Sequence, residues 1–149
     1  MPGSRRGNEM IVGVGTDLVE MDRMKKACGR ESFLKRIYTE EERRQAGKRI
    51  SRLAGDFAVK EAVAKALGTG FRGFGPECIE ALRDPLGKPY VRLYGRAGEL
   101  AEELGIDEFH VSVTNTAQYA AAFVVGEGRR AGRRNSDETF GNRRADEGD

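Results

Sequence analysis

The segment Ala54-Gly55-Asp56-Phe57-Ala58-Val59-Lys60-Glu61-Ala62-Val63-Ala64-Lys65-Ala66-Leu67 constrains this chain more than any other. From Ser51 to Leu67 it is Ala-rich, has no glycine after Gly55 and is stopped by Gly68 and Gly70, which predicts a helix. Its apolar residues point in almost every direction around the helix axis, which predicts burial on most sides. With 149 residues in all, the chain suffices for one compact domain and not for two ordinary ones. The remaining elements are therefore expected to wrap this helix.

Those elements are legible as a change of period. Met10 to Gly15 is a short apolar run ending in glycine, read as a buried strand with a tight exit. Helical spacing follows from Leu18 to about Cys28 and from Ser32 to Ile37, and Thr39 with Glu42 forms a capping-box signature for a helix ending near Gly47. Beyond the long helix the pattern alternates. Cys78 to Arg83 and Tyr90 to Tyr94 flank the turn Asp84-Pro85-Leu86-Gly87 and read as a hairpin. Arg96 to Leu104 is a short helix capped by Gly105, and His110 to Thr114 and Tyr119 to Val125 are two more strands joined by Asn115 to Gln118. This order predicts a single α+β domain, one long buried helix wrapped by a mostly antiparallel sheet, over residues 10–127. Residues 1–9 and 128–149 are rich in Gly, Arg, Asp and Glu and are expected to be disordered.

Composition narrows the function classes. The longest apolar run, Tyr119 to Val125, is far shorter than the ~20 residues of a membrane span. Met1 to Met10 is polar and basic, unlike a secretory leader. Cys28 and Cys78 stand apart with no Cys or His close by, which excludes a disulfide framework and a Cys/His zinc cluster. A cytoplasmic protein with no membrane partner is expected. The net charge of +2 hides basic early helices, including Arg23, Lys25, Lys26, Arg30, Lys35 and Arg36. Such a surface can dock an acidic protein or a phosphorylated ligand. A nucleic-acid partner is not expected, because stacking aromatics are not interleaved with the basic stretch.

Three places can carry chemistry. Glu61 and Lys65 lie four apart on one face of the long helix. They read either as a surface ion pair or, because the helix is buried, as charges that need a metal or an anionic ligand. Asp17 follows Gly13-Val14-Gly15-Thr16 and reads either as a Mg²⁺ ligand facing a crevice or as the N-cap of the next helix. His110, the sole histidine, alternates with Val111 and Val113 and so shares a polar strand face with Ser112 and Thr114.

Taken together, Gly13-Val14-Gly15-Thr16-Asp17-Leu18-Val19-Glu20 and Phe57-Ala58-Val59-Lys60-Glu61-Ala62-Val63-Ala64-Lys65-Ala66-Leu67-Gly68-Thr69-Gly70 resemble the two signature segments of the holo-[acyl-carrier-protein] synthase family. Gly87-Lys88-Pro89 and His110 to Thr114 resemble two further family segments, and the four span residues 11–126 in order. The resemblance implies Mg²⁺-dependent transfer of the 4′-phosphopantetheine arm of coenzyme A to a serine of acyl carrier protein, in bacterial fatty-acid synthesis, by a homotrimer with active sites between subunits. It implies Asp17 and Glu61 as metal ligands, with Glu61 also handling the serine proton and Lys65 meeting the phosphates. Around coenzyme A it implies Gly68, Thr69, Gly70, Lys88, Pro89, His110 and Thr114, and at the docked carrier protein Arg23 and Arg30. A transferase serving polyketide or peptide carrier domains, or a binding module without turnover, are the competing readings.

Two positions depart from the family pattern. Asp56 stands where many members have arginine just before the aromatic. If that arginine binds a coenzyme A phosphate, Lys48, Arg49 or Arg52 has to compensate. Asn115 stands where His or Asp is frequent, and an amide cannot do acid–base work there.

Overall fold

The computed structural model describes residues 9–129. Its elements are β1 (Glu9–Glu20), α1 (Met21–Cys28), α2 (Glu31–Ile37), α3 (Glu40–Ala46), α4 (Ile50–Ala66), a single 3₁₀ turn (Pro76–Cys78), β2 (Ile79–Arg83), β3 (Pro89–Leu93), α5 (Gly95–Leu104), β4 (Ile106–Asn115) and β5 (Tyr119–Arg129). A three-stranded sheet runs in the order β1-β5-β4, and β2 pairs with β3 in a separate hairpin. Every pairing is antiparallel. The α+β architecture built around one long helix is thus the observed one.

The helix α4 is the axle of the molecule. Leu53, Ala54, Ala58, Val59, Ala62, Val63, Ala64 and Ala66 are all buried, with β1 and β5 packed along one side and α1, α3 and β2 on others. Its small side chains let the strands come close. A Cβ built on Gly13 would lie 2.2 Å from the Ala66 carbonyl oxygen, and one on Gly15 would lie 1.8 Å from that of Ala62. The two glycines therefore exist to let strand backbone lie against helix backbone. They do not end the strand, contrary to the sequence expectation. β1 continues in register with β5 through Asp17↔Ala122 to Glu20↔Tyr119, and α1 starts only at Met21. Asp17 accordingly sits within a strand and caps nothing. Glu20 holds the N-cap position and makes no side-chain cap bond.

Other expectations meet the structure closely. Thr39 and Glu42 form the reciprocal capping box of α3, and Gly105 closes α5 in the left-handed region. Glu9, Gly128 and Arg129, expected to be disordered, are paired strand residues. The rest of the two expected disordered ends, 1–8 and 130–149, lie outside the described residues. No helix among the described residues is long and apolar enough to cross a membrane.

The sheet has two unlike faces. Gly13, Gly15, Asp17 and Val19 of β1, with Ala120, Ala122 and Val124 of β5, face α4; Phe109, Val111 and Val113 continue that face on β4. The other face carries Val14, Thr16, Leu18, Phe123, Val125, His110, Ser112 and Thr114. On it Val14, Leu18 and Phe123 are half or more exposed.

Candidate functional site

A cleft of about 570 Å³ opens where β1, α1, α2 and α4 meet, lined by Asp17, Glu20, Arg23, Met24, Phe33, Phe57 and Glu61 among others. Asp17 reaches it because it stands on the α4 side of β1, two residues beyond the close contact at Gly15. Glu61 reaches it as one of the few half-exposed positions of α4. The two carboxylates feel each other. Burial raises the Glu61 carboxyl above its ordinary value and the Asp17 charge raises it further, with Lys65 working the other way. Burial likewise raises Asp17, against the pull of Lys65.

Lys65 does not pair along its own helix. Its ammonium crosses to β1, donating to the Thr16 carbonyl at 2.9 Å and standing 3.5 Å from Asp17 Oδ1. The structure thus sets aside the ordinary i,i+4 ion pair: Asp17 and Glu61 share the cleft, and Lys65 stands beside Asp17. Two carboxylates balanced by one ammonium leave an excess of negative charge in a partly desolvated place. A pair of hard oxygen donors with that excess is what Mg²⁺ takes, so the residues present fit a divalent cation.

The other expected residues are placed as follows. Arg23 lines the cleft, and the Arg30 guanidinium lies 5.9 Å from the ring centroid of Phe33, a cleft residue. Gly68 and Gly70 take positive φ, and their N–H groups donate to the Lys65 and Ala64 carbonyls that end α4. Those donors are consumed in closing the helix, so of the Gly68-Thr69-Gly70 turn that the resemblance places around coenzyme A, two backbone N–H groups are already engaged. Lys88 and Pro89 lie at the β2–β3 hairpin, where the Lys88 N–H caps the turn by donating to Asp84; neither lines the cleft. His110 and Thr114 stand on the sheet face opposite Asp17, so a single chain does not bring them to the acidic pair.

Asp56, the departure from the family pattern, lies apart from the cleft. It is 1% exposed and lies inside the fold, with Oδ1 3.3 Å from Arg52 Nε, so its carboxyl does not face the cleft. Arg52 also binds Gln45, and Arg49 binds the Ala46 and Gln45 carbonyls. One feature went unseen in the sequence: Lys60 and Glu42, both wholly buried, pair at 2.8 Å. Lys60 also donates to the Pro76 and Ile79 carbonyls, and Glu42 accepts from Thr39 and Ala81. Every polar atom of that pair is thereby engaged, as a buried ion pair requires. It ties α3, α4 and β2 together, one residue before Glu61 in α4.

Residues 13–124 match the family model described as the 4′-phosphopantetheinyl transferase superfamily. A holo-[acyl-carrier-protein] synthase of Lachnoclostridium phytofermentans is 53% identical over 118 residues, 79% of this chain and 97% of that protein. The chain belongs to the holo-[acyl-carrier-protein] synthase family. The crystal structure of the Neisseria meningitidis holo-[acyl-carrier-protein] synthase superposes with a TM-score of 0.71 at 41% identity, covering 78% of this chain and 98% of that one. That of the Helicobacter pylori synthase, in complex with coenzyme A, gives 0.69 at 28% identity, covering 76% and 98%. The family's common fold and the gathered Asp17, Glu61 and Lys65 are therefore found in the same chain.

Proposed function

We propose that Asp17, Glu61 and Lys65 are the groups with which this transferase moves the 4′-phosphopantetheine arm of coenzyme A to a serine of apo acyl carrier protein. The observation that supports the assignment is their convergence: Asp17 and Glu61 line the same cleft, and Lys65 bridges to Asp17 at 3.5 Å. Asp17 and Glu61 would hold Mg²⁺, whose chemistry when bound is to neutralise charge on the pyrophosphate. Glu61, its carboxyl raised by burial and by Asp17, is suited to take the proton of the incoming serine hydroxyl. The serine oxygen forms the new bond to phosphorus, and the bond from that phosphorus to adenosine 3′,5′-bisphosphate breaks. Lys65, one turn along α4 from Glu61, meets the negative charge of the departing phosphate. Positioning and charge neutralisation suffice for such a transfer, and no protein nucleophile is needed.

The same reading assigns the remaining residues. Arg23 and Arg30 flank the apolar lining of the cleft and suit an acidic carrier protein. His110 and Thr114 meet coenzyme A only from a second copy of the chain. The exposed Val14, Leu18 and Phe123 on their face supply the apolar surface that such an assembly, a homotrimer, would cover. Thr69, Lys88 and Pro89 are assigned to the nucleotide end.

Mass spectrometry of apo acyl carrier protein incubated with this protein, Mg²⁺ and coenzyme A tests the reading. A gain of one phosphopantetheine group is expected, lost with chelator and lost in Glu61→Gln. Full activity of Glu61→Gln overturns the assignment.

A further inference from the structure

On the outward face of the three-stranded sheet, an irregularity at Asp107 resets the register of β4 against β5. Ile106 pairs with Gly128, yet Glu108, two residues on, pairs with Glu127. Two carboxylates thus stand directly opposite each other across neighbouring strands, an arrangement that is destabilising by itself. His110, two residues further along the same face of β4, places its imidazole between them. Its Nε2 is 2.8 Å from Glu127 Oε1 and 4.0 Å from Glu108 Oε1. Nδ1 has no hydrogen-bond partner among the described residues. The side chains of His110 and Glu127 are 50% and 36% exposed, so neither is locked by packing and the contact between them is what orients the ring.

We infer that Glu127 is a positioning residue for His110, fixing Nε2 as the bonded nitrogen so that Nδ1 is the one presented to coenzyme A. The inference rests on the reading above that His110 meets coenzyme A held by another copy. A ring that rotates freely presents either nitrogen and binds at an entropic cost; a ring tied through Nε2 presents one. When the imidazole is neutral, donation from Nε2–H to Glu127 also selects the tautomer in which Nδ1 is an acceptor, suited to a hydroxyl or amino group of the nucleotide. Glu108 reinforces the same polarity from the other side. Its distance marks it as a weaker partner, and its side chain, 67% exposed, is the freer of the two.

His110 is the sole histidine of the chain, so its ring can be read without assignment. The test uses the full-length protein with coenzyme A and apo acyl carrier protein. In ¹⁵N imidazole spectra the wild type should show the tautomer protonated at Nε2, and Glu127→Ala should shift the ring toward a mixture. In steady-state kinetics Glu127→Ala should raise the KM for coenzyme A by about 3- to 10-fold with kcat nearly unchanged, the loss of one hydrogen bond's worth of binding. Glu127→Gln, whose amide oxygen still accepts, should recover most of it. In a His110→Ala background Glu127→Ala should add nothing. Should His110→Ala itself leave the KM unchanged, the placement of His110 against coenzyme A fails and the inference falls with it. Should His110→Ala raise the KM while Glu127→Ala changes neither spectrum nor KM, that placement stands and the inference alone is overturned.

Discussion

Asp17 and Glu61 can be picked out of the sequence because a carboxylate in an apolar segment has to be explained, and both explanations converge on one cleft. The neighbouring charge could not be read so easily. Lys60 sits in the same helix as Glu61 and Lys65 and looks like another surface cation, but the structure buries it completely against Glu42. The signal was there in its flanks, Ala64 and Asp56 a turn away on either side, both buried. The partner was not, since Glu42 already had a local role in the capping box. Asp56 makes a sharper prediction. Burial pushes its carboxyl from an ordinary 3.8 to about 7, with Glu42 adding to the rise and Arg52 and Arg83 opposing it, and its Oδ2 is buried without a hydrogen-bond partner among the described residues. Between those two values the folded state holds a proton that the unfolded state releases. Stability contributed by the protonated carboxyl is complete below the ordinary value and is lost as pH rises through about 7. Asp56→Asn should therefore gain stability over the wild type as pH is raised from 4 to 8, by at most about 4 kcal/mol, in chemical unfolding followed at each pH. A constant difference across that range would show that the carboxyl is ionised throughout. For catalysis, Glu61→Gln should lower kcat by about 10²- to 10⁴-fold with the circular-dichroism spectrum unchanged.

Among the elements, α4 and the β2–β3 hairpin were legible because their periods are long or their turn chemistry explicit. The boundary of β1 was not. Gly13 and Gly15 carry the same local message whether they end a strand or let it press on a helix, and only the presence of Ala62 and Ala66 opposite decides. Placing a methyl group at either position drives it into a main-chain oxygen, which no side-chain rotation relieves. Gly15→Ala should cost about 1–3 kcal/mol or more in urea unfolding. It should also reduce transfer beyond the loss of folded protein, because Asp17 lies on the displaced strand. Equal activity per folded molecule would separate the glycine from the site. The turn after α4 gives the opposite lesson. A Gly-Thr-Gly segment reads as a phosphate loop, yet two of its N–H groups are needed to finish the helix.

At the scale of the whole molecule, the sheet divides the proposed site. Asp17 is on one face, His110 and Thr114 on the other, so the strand alternation that was legible in the sequence separates residues that the family resemblance groups together. In the proposed homotrimer they are reunited between copies. Light scattering should report about three times the 16.4 kDa of one chain, and Leu18→Asp on the exposed face should shift the mass downward; a wild-type monomer would exclude shared sites. Mixing Glu61→Gln with His110→Ala, each inactive or weak alone, should recover part of the transfer when subunits are exchanged, since some sites then receive an intact half from each parent. The two-sided sheet also sets a rule for how this protein behaves on dilution. In the proposed homotrimer each chain owns one half of each of two different sites and has no turnover of its own to fall back on. Its specific activity should decline with concentration while every molecule is still folded, so that catalysis reports on encounter between copies before it reports on anything else.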